Sequence, residues 1–234
     1  GDLPFSGVLS GNAHMISNIS MSSTSYGVGL FAYLHSATIS NLVISGSFAT
    51  TTGVVNSRTH SAGALAMYSS GDIDLSFVSN EADVTGVGKV GGLIGWSDGG
   101  VNLLSSSNSG AISASKFAGG LVGRVDGVGD LTTSYNTGTV TSADSFAGGL
   151  VGFVDNVANI HSSYNTGSVF ADDDYAGGLV GDVYKDANIT SSYNTGSVSA
   201  DNDHAGGLVG YVDGGANITS SYNTGSVSAA YDYS

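Results

Sequence analysis

The tripeptide Gly-Gly-Leu returns with its leucine at Leu93, Leu121, Leu150, Leu179 and Leu208, in steps of 28, 29, 29 and 29 residues. A weaker copy, Gly63-Ala64-Leu65, lies 28 residues earlier, and Gly29-Leu30 lies 35 before that. An asparagine keeps the same beat at Asn80, Asn108, Asn136, Asn165, Asn194 and Asn223. Two landmarks in one register define a repeat, and a unit this short cannot bury its apolar residues alone. Ordering its backbone costs more than its few large apolar side chains return, so each unit has to stack on its neighbours.

The units are rich in Gly, Ser, Thr, Val and Asn and lack apolar residues at helical spacing, so they read as strands rather than helices. In "AGGLVGYVDGGANITSSYNTGSVSA" (205–229) short alternating stretches are separated by Gly and Asp/Asn, which gives three short strands and three corners. Three strands in 28–29 residues make one coil of a β-solenoid. About seven coils stacked at about 4.8 Å give a rod of roughly 35 Å. The expected organisation is one all-β domain over 1–234, with degenerate coils over 1–64 and regular GGLVG coils over 65–234.

The degenerate copies show which side chains point inward. Aligning "ATISNLVISGSF" (37–48) with "ANITSSYNTGSV" (187–198) matches Ile39 to Ile189, Leu42 to Ser192, Ile44 to Asn194 and Phe48 to Val198. Asn194 and its equivalents therefore take interior positions, one above another. A buried amide column is tolerable when each amide bonds its neighbours, and this predicts an asparagine ladder. Alternation then turns three columns outward. These are Tyr135, Tyr164, Tyr193 and Tyr222; Thr137, Thr166, Thr195 and Thr224; and Thr139, Ser168, Ser197 and Ser226. This is the candidate binding face, although Thr and Ser are also ordinary solvent-facing strand residues.

The segments Gly148–Gly152, Gly177–Gly181 and Gly206–Gly210, each "GGLVG", resemble the GLUG motif. "FSGVLSGNAHMISNIS" (5–20) and "GLFAYLHSATISNLVISGS" (29–47) are similar to the segment that often precedes such repeats. The motif is known from bacterial surface proteins, including large adhesins and non-catalytic parts of immunoglobulin A peptidases. The resemblance implies an extracellular right-handed β-helix and brings no catalytic residue with it. The departure at Gly63–Ala66 implies irregular early coils.

Five basic residues stand against 19 acidic ones, a formal charge of −14. That charge repels nucleic-acid phosphates and anionic lipid, and excludes both as partners. No apolar run is long enough for a transmembrane helix, so membrane insertion is not expected. There is no cysteine, hence no disulfide and no thiolate chemistry. The carboxylates fall in two columns. Asp98, Asp126, Asp155 and Asp213, with Tyr184 breaking the series, follow GGLVG and read as turn residues. The corner cluster holds Asp172, Asp173, Asp174, Asp201 and Asp203, with Asp144 and Asp232 beside it. Stacked carboxylates repel unless solvated or bridged, and oxygen-rich corners suit Ca²⁺, the one cofactor the sequence allows for. A solvated acidic corner is the alternative.

Lys89 and Lys116 are expected in one column and Arg124 by itself, none with the paired acid of an active site. The five histidines lack metal-ligand spacing, and no HExxH is present. The chain is therefore read as a non-enzymatic surface module of a larger exported protein, binding a glycan, a protein or ice. Ice binding through the Thr/Ser columns is the first alternative, and a polysaccharide-binding or -degrading β-helix the second. The last repeat stops before its Ala-Gly-Gly-Leu strand, with Tyr231 and Tyr233 at its corner. An uncapped coil exposes strand edges, so continuation of the array or end-to-end self-association is expected.

Overall fold

The computed structural model describes residues 3–51 and 60–230. Among them there are only strands, and no helix is long and apolar enough to cross a membrane. Successive coils pair in parallel and in register along three sheets. The chain is a β-solenoid of about seven turns.

One coil shows the plan. Phe146–Gly148 belongs to the first sheet and Val151–Val154 to the second. Ala158–His161, Tyr164–Asn165 and Val169–Ala171 make up the third. The third face is thus a broken run of three segments rather than one strand. Its first break falls at Ser162, whose φ of 50° is left-handed; Ser105, Thr133, Ser191 and Ser220 repeat this at 48–52°. Asn41 and Phe77 do the same in the early coils.

Inward columns form the core. Leu93, Leu121, Leu150 and Leu179 of the repeat motif are completely buried. On the third sheet Ile39, Leu75, Leu103, Leu131, Ile160 and Ile189 stack in register. So do Phe48, Val84, Ile112, Val140, Val169 and Val198. Ile44 pairs with Asn80, so the asparagine column continues an apolar one, as the early copies predict.

That column is a hydrogen-bonded ladder. Each asparagine from Asn80 to Asn194 donates one amide hydrogen to the next asparagine's Oδ1, at 2.7–2.8 Å. It donates the other to the carbonyl two residues ahead in its own coil, also at 2.7–2.8 Å. Beside it runs a serine ladder that continues the Leu42–Val78 column. The Oγ atoms of Ser106, Ser134, Ser163 and Ser192 each accept the backbone N–H of the preceding coil, at 3.1–3.2 Å. Each also donates to the carbonyl two residues back. Buried polar groups so satisfied cost little and fix the register of coil on coil.

The ladder explains the second glycine of the motif. A Cβ on Gly149 would lie 2.1 Å from the Gly178 carbonyl oxygen and 2.5 Å from Asn165 Cγ. Only glycine lets the asparagine amide lie against the neighbouring strand.

The first coil is less regular. Val8–Ser23 pairs with Thr38–Thr50 through two register shifts, at Ser10/His14 and Ile16/Ile19. The 35-residue step from Phe31 to Ala66 contains residues 52–59, outside the described set. At the other end the last coil packs on one side, leaving Ile218 43% exposed. Tyr231 and Tyr233, expected to bear on this end, lie outside the described residues, as does Asp232.

Candidate functional site

The three columns face outward as expected, but only the tyrosines lie in strands of the third sheet; the Thr and Thr/Ser columns fall in the link between its second and third segments. Tyr135, Tyr164 and Tyr193 are half-buried and Tyr222 is exposed. Their rings stack at 4.9, 4.9 and 5.3 Å, within 6° of parallel. Burial, and then the Tyr135 and Tyr193 phenols on either side, raises the pKa of Tyr164. Each ring covers its neighbour's face, so the column presents ring edges and phenol hydroxyls rather than open π surfaces. Thr137, Thr166, Thr195 and Thr224 are exposed beside it, as are Thr139, Ser168, Ser197 and Ser226. Some of these hydroxyls are already engaged: Ser197 donates to Ser168 at 3.0 Å, and Thr137 to the Asn108 carbonyl at 3.4 Å.

The acidic corner is looser than a cation site. Asp172 and Asp201 are exposed, while Asp173, Asp174 and Asp203 are half-buried. Asp173 accepts a hydrogen bond from the Asn202 amide. Asp144 accepts from the adjacent Ser145 at 3.0 Å. Among the described residues no group of three or more Asp, Glu or His side chains is gathered so as to hold a metal ion.

The basic residues depart from expectation. Lys89 lies in register with Phe117, not Lys116, so the two lysines occupy different columns. Unequal spacing around the corner causes this, because the Lys89 to Lys116 step is 27 residues and the strand register there is 28. Arg124 is not alone either. Its guanidinium donates to Asp126, whose other oxygen accepts Trp96 Nε1–H at 2.9 Å.

These contacts belong to a seam that the sequence reading missed. Along the second sheet, Tyr33, Tyr68, Trp96, Arg124, Phe153, Asp182 and Tyr211 are in one column. Along the first sheet run Lys89, Phe117, Phe146, Tyr175 and His204, the last four stacked at 4.8–5.2 Å. The columns interdigitate. Phe153 meets Phe117 and Phe146 edge-on, and Tyr211 meets Tyr175 and His204 likewise. Cations fill the upstream steps: Lys89 Nζ lies 4.1 Å over Trp96 and the Arg124 guanidinium 4.8 Å over Phe153. Burial, and then Arg124, lowers the Lys89 pKa to about 8. The signal was present in the sequence, since the residue after GGLVG or GGLIG reads Trp96, Arg124, Phe153, Asp182 and Tyr211.

Residues 201–228, which span the last Gly-Gly-Leu unit with its asparagine, match the family model of the GLUG motif. The chain is a GLUG-repeat protein. The coils upstream repeat the matched GLUG unit in register, with glycine, leucine and ladder asparagine at equivalent points. No curated protein and no solved structure matches the chain.

Proposed function

We propose that this GLUG solenoid is a non-catalytic structural and adhesive module of a larger extracellular surface protein. The observation that carries the reading is repetition. Tyr, Thr and Ser recur at equivalent points of consecutive coils, with rings about one strand spacing apart. A catalytic centre is a single constellation of unlike groups, whereas identical groups at a fixed pitch suit a polymeric or extended ligand through many weak contacts. Because the tyrosine faces are covered by one another, the surface offers hydroxyls, which favours a hydroxyl-rich ligand such as a glycan. The acidic charge disfavours nucleic acid and anionic lipid.

The test is binding to a panel of immobilised neutral and acidic polysaccharides, comparing the native chain with a Thr166→Arg/Ser197→Arg variant. Retention of the native chain and loss in the variant is the expected result. Equal retention of both, or of neither, overturns the assignment to this face.

Ice binding draws on the same exposed Thr and Ser columns. The stacked tyrosines roughen that face, and the Ser197–Ser168 bond occupies hydroxyls that would order water. Thermal hysteresis of the purified chain separates the two readings: a freezing-point gap lost in Thr166→Arg would replace adhesion by ice binding.

A further inference from the structure

The aromatic columns of the rod differ in what their polar ends do. In the seam those ends are engaged: Tyr33 Oη and Ser70 Oγ lie 2.7 Å apart, Tyr68 donates to Asp98 and Trp96 to Asp126. Tyr175 is held between Phe146 and His204. The column of Tyr135, Tyr164, Tyr193 and Tyr222 is unlike them. Its phenol oxygens are neither buried nor hydrogen-bonded to another described residue, so they meet water. Tyr135 pairs with Tyr164, Tyr164 with Tyr193 and Tyr193 with Tyr222 in register. Near-parallel rings repeated at one coil step place like atoms at about the centroid spacing, 4.9 Å at the first two steps. The asparagine ladder, one residue on in sequence, holds the strands beneath them at that pitch.

We propose that this column is a site of oxidative cross-linking, where adjacent rings couple as dityrosine and staple one coil to the next. The oxidant is hydrogen peroxide acting through a one-electron peroxidase. Each of two neighbouring phenols gives up one electron and its hydroxyl proton, the proton passing to water, and becomes a phenoxyl radical. The two radicals join in one carbon–carbon bond between the positions ortho to their oxygens. The hydrogens on those two carbons then move to the oxygens, which restores both phenols. The two electrons and two protons removed reduce the peroxide to two waters. Proximity selects the partner, because a radical in the column has its neighbour one coil step away and needs no encounter. The bond ties residues 29 apart at each regular step, and a link of that span restricts the unfolded chain as a disulfide would. Exposure alone does not make such a site. Tyr26 is 66% exposed and Tyr184 53%, as much as or more than Tyr222, yet neither has a described ring beside it. The proposal rests on the geometry of the column and not on its reading as a glycan-binding face.

The experiment treats the full chain with a heme peroxidase and hydrogen peroxide, at a protein concentration low enough that chains seldom meet. Monomer recovered from a denaturing gel is read by dityrosine fluorescence. Mass spectrometry follows digestion at aspartate, which cuts between every two successive tyrosines of the column. The expected result is fluorescent monomer, with peptides joined at Tyr135–Tyr164, Tyr164–Tyr193 or Tyr193–Tyr222 and lighter by two hydrogens. The oxidised chain should also melt at a higher temperature than the untreated one. Tyr135→Phe/Tyr193→Phe keeps the stack of rings but leaves no two phenols adjacent, and should lose the monomer signal. Tyr26→Phe/Tyr184→Phe, which removes exposed solitary tyrosines, should keep it in full. Dityrosine found only in dimers, peptides joined at other tyrosines, a signal that survives in Tyr135→Phe/Tyr193→Phe, or an unchanged melt would each overturn the proposal.

Discussion

Asn136 donates to Asn165 Oδ1 at 2.8 Å and to the Gly138 carbonyl of its own coil at 2.7 Å. One side chain thus closes a turn and registers two coils. Removing Asn165 takes a hydrogen bond from three groups at once: the Asn136 amide, the Gly167 carbonyl and the Asn194 amide oxygen, which keeps only the Gly196 N–H at 3.3 Å. Asn165→Ala should cost about 2–3 kcal/mol for the unsatisfied partners. Thr166→Ala, on the exposed side of the same turn, should stay within about 0.5 kcal/mol. Equilibrium denaturation of both variants checks the inward and outward assignment, and equal effects would contradict it.

Glycines of the coil divide into two kinds. A methyl on Gly149 would meet the Gly178 carbonyl oxygen at 2.1 Å and Asn165 Cγ at 2.5 Å, and neither can yield without breaking the ladder. Gly149→Ala should destabilise by about 3 kcal/mol or more. Gly129 is different: the nearest atom to its Cβ is Leu131 Cδ1 at 3.9 Å, and its register partner in the next coil is Ala158. Gly129→Ala should be neutral or stabilising by up to about 1 kcal/mol, through the unfolded chain. Thermal melts of the pair decide it.

The period, the strand character and the asparagine ladder could be read from the sequence because identical residues at a fixed pitch leave one way to stack. Ile44 above Asn80 shows why the degenerate coils helped, since an apolar residue in an early copy marks an inward position. The serine ladder was half visible, in the match of Leu42 to Ser192, but serine is so frequent on the outside that its buried copies carried no compositional mark. The seam was hidden for another reason. Its two columns lie on different sheets, and the meeting of Lys89 with Trp96 or Phe146 with Phe153 depends on the angle between those sheets. Periodicity gives the register along the rod but not that angle. The division of the third face into three segments was equally local, set by left-handed residues such as Ser162 that have no distinctive side chain.

Lys89 makes stability pH-dependent on the alkaline side. Its pKa is lowered from 10.5 to about 8, by burial first and by Arg124 second, with Asp126 opposing and Lys116 adding. The unfolded chain therefore holds a proton that the folded chain has released between those values. Stability should rise as pH climbs from about 8 towards 10, by up to about 3 kcal/mol from this group before tyrosine ionisation intervenes. Lys89→Met should remove the rise and stabilise the protein at neutral pH. Urea denaturation at pH 7.5 and 9.5 is the measurement, and a Lys89→Met chain that keeps the same rise would place its origin elsewhere.

Asp182 acts in the opposite direction on the acid side. Its pKa is raised from 3.8 to about 6 by burial and by Asp213, with only the Val183 backbone opposing. The carboxyl group keeps its proton in the folded state at pH values where the unfolded chain has lost it. Its contribution is therefore fully present below about 3.8 and is lost as pH rises through about 6, roughly 3 kcal/mol in all. Other groups on this part of the seam (Tyr175, Tyr211, His204 and the corner acids Asp174 and Asp203) are common to the native chain and its variant. The difference between native and Asp182→Asn thus isolates one carboxyl. Asp182→Asn should be more stable than the native chain at pH 7.5, and the two should converge by pH 4. Melts that differ by the same amount at both pH values would show that Asp182 is ionised throughout, already compensated within the fold.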